Sequence, residues 1–262
     1  MFSSILLLNL PADEVQIDLA YFPIEHSNTA LTMVPPGSWH YVGVKDRENY
    51  QGVWCWLQVD EILVKTFDPD RGLINPSAEI ADQAIEQFNQ GQFSPTNQDY
   101  PHQLFGAWYG LVMHLPAESF PPTLHQQDST IEPSRFVNAL LGTHHGQTDR
   151  FLAEFQYAFV SWLVSTDQAQ EERAAFDRWQ HLLLAIYNAG EFQMRNYADF
   201  FGQLVDVLMR QFACLDDSCF EPKSGLIYQI DYFLEDLIDA EISLLAEKSE
   251  QLQNYLANRS ES

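Results

Sequence analysis

The chain has 262 residues, 46% hydrophobic and 13% aromatic, enough apolar material for one large or two small packed domains and too much for bulk disorder. Asp and Glu number 37 against 13 Lys and Arg, a formal net charge of −24. Such a surface repels nucleic-acid phosphates and anionic membranes and favours basic protein surfaces, although the same acidity also serves plain solubility.

The first third reads as β. Val15, Ile17, Leu19 and Tyr21 alternate with Gln16, Asp18 and Ala20, the period of one half-buried strand. Leu31–Val34 is a short strand stopped by Pro35-Pro36-Gly37, and Trp39–Val44 resumes it. Gly52–Val59 and Ile62–Phe67 are aromatic and β-branched, with Asp60-Glu61 between them, which predicts a hairpin. Ile5–Leu10 is apolar but six residues long with no basic residues before it, so it is not a signal peptide, and no run approaches a membrane span. An antiparallel, sandwich-like sheet domain is expected.

Helix begins at Asn75-Pro76, an Asn cap followed by Pro, with Ile80, Ala84, Ile85 and Phe88 as the apolar stripe and Gly91 as the end. Leu104–Leu115 reads as a short apolar helix. Pro116–Pro133, with four prolines, reads as a linker, giving a β-rich domain over 1–115, a linker over 116–133 and a helical domain over 134–262. Glu132–Leu141 is a helix stopped by Gly142. Phe151–Val164 carries Leu152, Phe155, Phe159 and Leu163 on one face. Asp167 with Gln170 resembles a capping box for a helix burying Phe176, Trp179, Leu183 and Ile186, closed by Gly190. Asn196–Phe212 follows. Gly225–Ala257 makes one long helix or two, with Ile230, Phe233, Leu237, Leu244 and Leu252 inward. About five antiparallel helices form a bundle.

Sites that could carry chemistry are few. Cys55, Cys214 and Cys219 make no disulfide framework and fit a reducing compartment. Cys214 and Cys219 flank Asp216-Asp217 without the second ligand pair that zinc requires. His144-His145 sits between Gly142 and Gly146, and adjacent histidines point apart on a regular element, so a polar loop is the simpler reading. Glu235, Asp236, Asp239 and Glu241 match the solvated face of a helix better than an acid–base site, which needs a concave, water-poor setting. Gln156, between Phe155 and Tyr157, is expected in an interior or edge role with a partner that sets helix register. Phosphate-binding glycine loops, the GxSxG elbow and HExxH are all missing. The residues thus point to no catalytic, cofactor-binding or metal-ligating residue and to no enzyme; an assembled site between domains is the weaker class.

Several segments together resemble one family. Asn9–Ile24, NLPADEVQIDLAYFPI, is similar to a family strand in which Leu-Pro precedes Asp by seven positions, here Leu10-Pro11 and Asp18. LTMVPPGSWHYVGV, Leu31–Val44, is similar to a Met-x-Pro-Pro-Gly-x-His turn, here with His40 one place later. LAEFQYAFVSWLV from Leu152, FDRWQHLLLAIYNA over Phe176–Ala189, and YADFFGQLVDVLMRQF before a short acidic turn and Phe220 follow in order. On these segments the chain resembles the cistron-splicing factor Aar-two family. The resemblance implies a β-rich N-terminal domain and a VHS-like helical C-terminal domain. It implies a non-enzymatic assembly chaperone of the U-five snRNP. Family members bind the Prp-eight protein around its RNase-H-like region and delay its helicase partner, without cofactor, membrane or direct nucleic-acid contact, in cytoplasm and nucleus. The chain is shorter than eukaryotic members between the domains, and it stops soon after the last helix, so a strand-adding C-terminal tail is expected to be reduced. The alternative is the same fold binding another protein partner in a host without a spliceosome.

Overall fold

A computed structural model describes residues 2–11, 14–46, 49–93, 96–118, 120, 140, 144–164, 169–220 and 229–260. Two units emerge, Met1–Met113 with Leu163–Glu172, and His114–Trp162 with Arg173–Ser262. Most of the expected linker, the expected Glu132–Leu141 helix and the Asp167 cap lie outside the described residues.

The first unit contains β1 (Ser3–Leu8), β2 (Glu14–Ile17), β3 (Ala20–Pro23), β4 (Thr29–Val34), β5 (Trp39–Asp46), β6 (Asn49–Trp56), β7 (Ile62–Asp68) and β8 (Gly72–Ile74). Helix α1 (Ala78–Asn89), β9 (Asn97–Asp99) and α2 (His102–Val112) complete it. One sheet has the order β8-β7-β1-β4-β9 and the other β3-β2-β5-β6. Ile5, Leu7, Leu31, Phe67 and Leu73 of the first sheet meet Val15, Ile17, Val42, Val44 and Cys55 of the second, which makes the interior of a sandwich. On the other face of the first sheet, Leu6, Leu8, Ala30 and Val64 pack on α1 through Ala84, with Ala81, Ile85 and Phe88. β1 is therefore buried on both faces. That is why Ile5 to Leu8 is an unbroken apolar run rather than an alternating one.

The four-stranded sheet is antiparallel, but the five-stranded one is mixed: β1 runs parallel to β7, and β4 parallel to β9. Gly52–Val59 and Ile62–Phe67 form no hairpin. β6 pairs with β5 and β7 with β1 and β8, so the turn at Asp60, φ +60, carries the chain from one sheet to the other. Val15–Tyr21 is not one strand but β2 and β3, joined by a tight turn in which Asp18 has φ +53. Both Gln16 and Asp18, expected to face water, are 1% exposed. The N-cap of α1 is Ser77, whose Oγ accepts from Ile80 N at 3.4 Å, and not Asn75. Ile80 is on the outer side, 47% exposed.

The second unit is helical: α3 (Thr148–Val164) as far as Trp162, α4 (Ala169–Tyr187) from Arg173, α5 (Glu191–Asn196), α6 (Ala198–Ala213), a 3-10 turn (Asp217–Phe220), α7 (Ile230–Asp239) and α8 (Ser243–Ser260). Its interior is aromatic: Phe155 and Phe159 of α3 meet Trp179 of α4, and Trp162 stacks on Trp179 at 6.1 Å and 9°. The segment around Asn196 breaks into α5 and α6. The last acidic stretch is two helices, α7 and α8, separated at Glu241 with φ +56. Gly202 of α6 admits Leu244 of α8: a Cβ there would lie 3.2 Å from the leucine Cδ2. Leu244 is thus a contact residue at the bundle surface, 36% exposed, and not interior.

Candidate functional site

The two N-terminal segments that carry the family resemblance meet inside the sandwich. Asp18 is held at the β2–β3 turn, where a short polar side chain tolerates left-handed backbone. Its Oδ1 accepts from Tyr41 N at 2.9 Å, and its Oδ2 accepts from Tyr100 Oη at 2.8 Å and lies 2.7 Å from His40 Nδ1. On its other side, His40 Nε2 lies 2.7 Å from the Pro35 carbonyl in the Pro-Pro-Gly turn. Gly37, φ +76, lets that turn fold back so that its N–H donates to the Leu57 carbonyl at 2.8 Å. The ring of Phe105 from α2 stacks on His40 at 6.2 Å.

This arrangement fixes the proton count. Both ring nitrogens of His40 face oxygens, and a carbonyl can only accept, so Nε2 carries a proton. The 2.7 Å bond to Asp18 needs a second proton, on Nδ1 or on the carboxyl. The pair therefore holds one shared proton and no net charge. Burial alone pushes the His40 pKa down, but the Asp18 charge, its hydrogen bond and the Pro35 carbonyl outweigh that and raise it above 6.5. Burial, then Asp18, pushes the Tyr100 hydroxyl well above the usual tyrosine range. A histidine–aspartate pair suggests base catalysis, but His40 is 0% exposed and Asp18 1%, sealed from any substrate. The network's role is to lock three chain segments together: the β2–β3 turn, the proline turn and the start of α2.

The helical unit has a second buried ionic group. Glu154 of α3 sits 2.6 Å from Arg178 Nε of α4 and 3.2 Å from His144 Nε2. All three are at most 9% exposed. His144 is consequently not a loop histidine in water. Its side chain is interior, against Phe151 at 5.2 Å, because the carboxylate supplies the partner that burial demands. Its neighbour His145, φ +52, is exposed, so the two do point apart. Gln156 is fully buried and accepts from His114 N at 2.9 Å, and Trp179 Nε1 donates to Gln211 Oε1 at 2.9 Å.

Among the described residues, no group of three His, Cys, Asp or Glu side chains could hold a metal. Cys214 and Cys219, at the end of α6 and in the 3-10 turn, are not joined in a disulfide, and burial raises the Cys214 thiol. Of the acidic cluster, Glu235, Asp236 and Asp239 lie on α7, while Glu241 falls in the break beyond it. Sequence reasoning missed Tyr100 and Arg178, which lie at long range from their partners. It also missed Phe192 and Tyr232, which are 64% and 67% exposed on α5 and α7 although the sequence marks aromatic residues as core. No described helix is long and apolar enough to cross a membrane.

The family model for the AAR2 C-terminal repeat region matches residues 115–261, a little over half of the chain. The match begins at residue 115, one residue after the start of the helical unit at His114. No curated protein matches the chain.

Proposed function

The chain belongs to the AAR2 family of splicing-associated protein-interaction factors, and from this we infer that it acts without catalysis, as an assembly factor of the U-five snRNP that binds the Prp-eight protein at its RNase-H-like region. The observation that carries this is the family match over 115–261. Two features support it. Two histidine–carboxylate pairs among the described residues, Asp18–His40 and Glu154–His144, are buried ties between chain segments, so their chemistry is spent on shape. The net charge of −24 suits a factor that occupies a basic protein surface otherwise open to RNA or to a competing protein. In a eukaryotic host the factor works in the cytoplasm and the nucleus.

The test is co-purification of the full chain with the RNase-H-like region of Prp-eight from the same organism. A defined complex that weakens as salt rises is expected. No complex at micromolar concentrations sinks the Prp-eight assignment, and an affinity indifferent to salt sinks the electrostatic part.

A further inference from the structure

The two most exposed large hydrophobic side chains among the described residues, Phe192 (64%) and Tyr232 (67%), lie on adjoining helices of the helical unit. α5 runs alongside α7 in the same direction. Asn188, just ahead of α5, donates to Gln229 Oε1 at 2.6 Å just ahead of α7. Arg195, in the last turn of α5, donates to the carbonyls of Asp239 and Ala240 at the end of α7, at 3.2 and 3.1 Å. Residues three and four apart share one helix face. Phe192 therefore lies one turn before Arg195 on the α7 side, level with the middle of α7. Tyr232 lies one turn before Glu235 and Asp236.

The rim of this face is acidic: Glu191 on α5, and Asp231, Glu235, Asp236 and Asp239 on α7. Burial, then the charges of Glu191, Asp239 and Glu235, raises the carboxyl of Asp236, which places Glu191 close across the helix pair. Arg195 is the one basic residue in 188–196 and 229–241, and its guanidinium is committed to backbone carbonyls. Two aromatic rings left in water beside carboxylates that make no ion pair among the described residues match what a guanidinium needs.

We propose that the aromatic–acidic face formed by α5 and α7 docks an arginine-bearing segment of a protein partner. The planar guanidinium stacks on Phe192 or Tyr232 while its fork of N–H donors meets a neighbouring carboxylate, a combination that lysine cannot reproduce. A second copy of this chain is a poor occupant, since each copy carries −24 and would place acid on acid. The assignment rests on the protein-binding reading above and locates a surface for it.

The probe is a fluorescein-labelled peptide with four arginines spaced by glycine and serine, titrated with the full chain by anisotropy. The expected result is binding that weakens with salt. The double variant F192A/Y232A should bind about tenfold more weakly with an unchanged circular dichroism spectrum and melting curve, because both side chains are exposed. E235Q/D236N should bind more weakly and flatten the salt dependence, whereas E79Q/D82N on α1 should change neither. Wild-type affinity in F192A/Y232A, equal loss in the α1 control, or no binding by the wild-type chain overturns the proposal. Capture of the Prp-eight region, run in parallel, separates the two readings. A wild-type chain that holds Prp-eight but not the peptide overturns this face alone. One that holds the peptide through this face but not Prp-eight overturns the assembly function alone.

Discussion

Removing the Asp18 carboxylate should unfasten the sandwich, and the size of the effect follows from what it holds. Asp18→Ala leaves the buried donors Tyr41 N and Tyr100 Oη without an acceptor and His40 Nδ1 without a partner, previously at 2.9, 2.8 and 2.7 Å. Breaking one side of a buried ion pair costs about 3–5 kcal/mol, a large share of a domain's total stability. Asp18→Asn separates charge from hydrogen bonding. Its amide can donate to a neutral His40 Nδ1 and to the Tyr100 oxygen while its carbonyl keeps the Tyr41 N–H, so most of the stability should survive. What disappears is the pH dependence. His40 is raised in the folded chain, so its contribution is complete below pH 6.5 and is lost as pH rises through the folded value. Deprotonation would leave a buried net charge and two acceptors face to face. The assay is urea unfolding of the wild type and both variants from pH 6 upward, with hydrogen exchange read at the β2 and β5 amides. A loss below about 1 kcal/mol in Asp18→Ala refutes the reasoning. So does an Asp18→Asn chain that keeps the wild-type alkaline loss at these amides.

Glu154→Gln strands Arg178 in the helical unit without its 2.6 Å carboxylate partner and should cost about 3–5 kcal/mol, seen as a lower urea midpoint for α3 and α4 amides with the β-rich unit unchanged. Gly52→Ala drives a Cβ into the Tyr41 hydroxyl and ring, and that ring is held against Trp54 at 5.5 Å. The overpacking should cost about 1–3 kcal/mol and shift the near-ultraviolet circular dichroism of the tryptophans. Arg259 in the last turn of α8 reaches the Phe212 and Leu215 carbonyls, pairs with Asp217 at 2.8 Å and lies 4.3 Å from the centroid of the Phe220 ring. Arg259→Ala should therefore speed hydrogen exchange at 214–220 several-fold while leaving the Trp179 environment unchanged.

The helices of the second unit were largely readable because each presents a stripe of apolar residues to one interior. Leu152, Phe155, Phe159 and Trp179 are buried where period 3.6 places them. Gln156 was legible too, because a polar residue amid such a stripe must find a partner, and it finds His114 N. The sheets were less readable. A strand's period says which residues turn inward and nothing about which strand lies beside it, so the β6–β7 neighbours in sequence read as a hairpin although they lie in different sheets. β1 escaped notice because burial on both faces erases the alternation that marks a strand. Of the aromatic–acidic face proposed above, only the carboxylates of α7 were visible in the sequence. Phe192 and Tyr232 look like core until the packing of α5 on α7 leaves them outside.

By itself the sequence determined composition, charge, the helical periodicity of the second half and the family, since each is a property of neighbouring residues or of their order. The tertiary structure decided the roles. Asp18 and His40 are family identifiers in the sequence and a single proton-sharing clamp in the fold, 22 residues apart in the chain and 2.7 Å apart in space. Local pattern carries no information about such a distance. Closing the loop between two residues costs entropy that rises only slowly with its length, so a carboxylate can meet a histidine or a tyrosine 82 positions away wherever the core makes burial favourable.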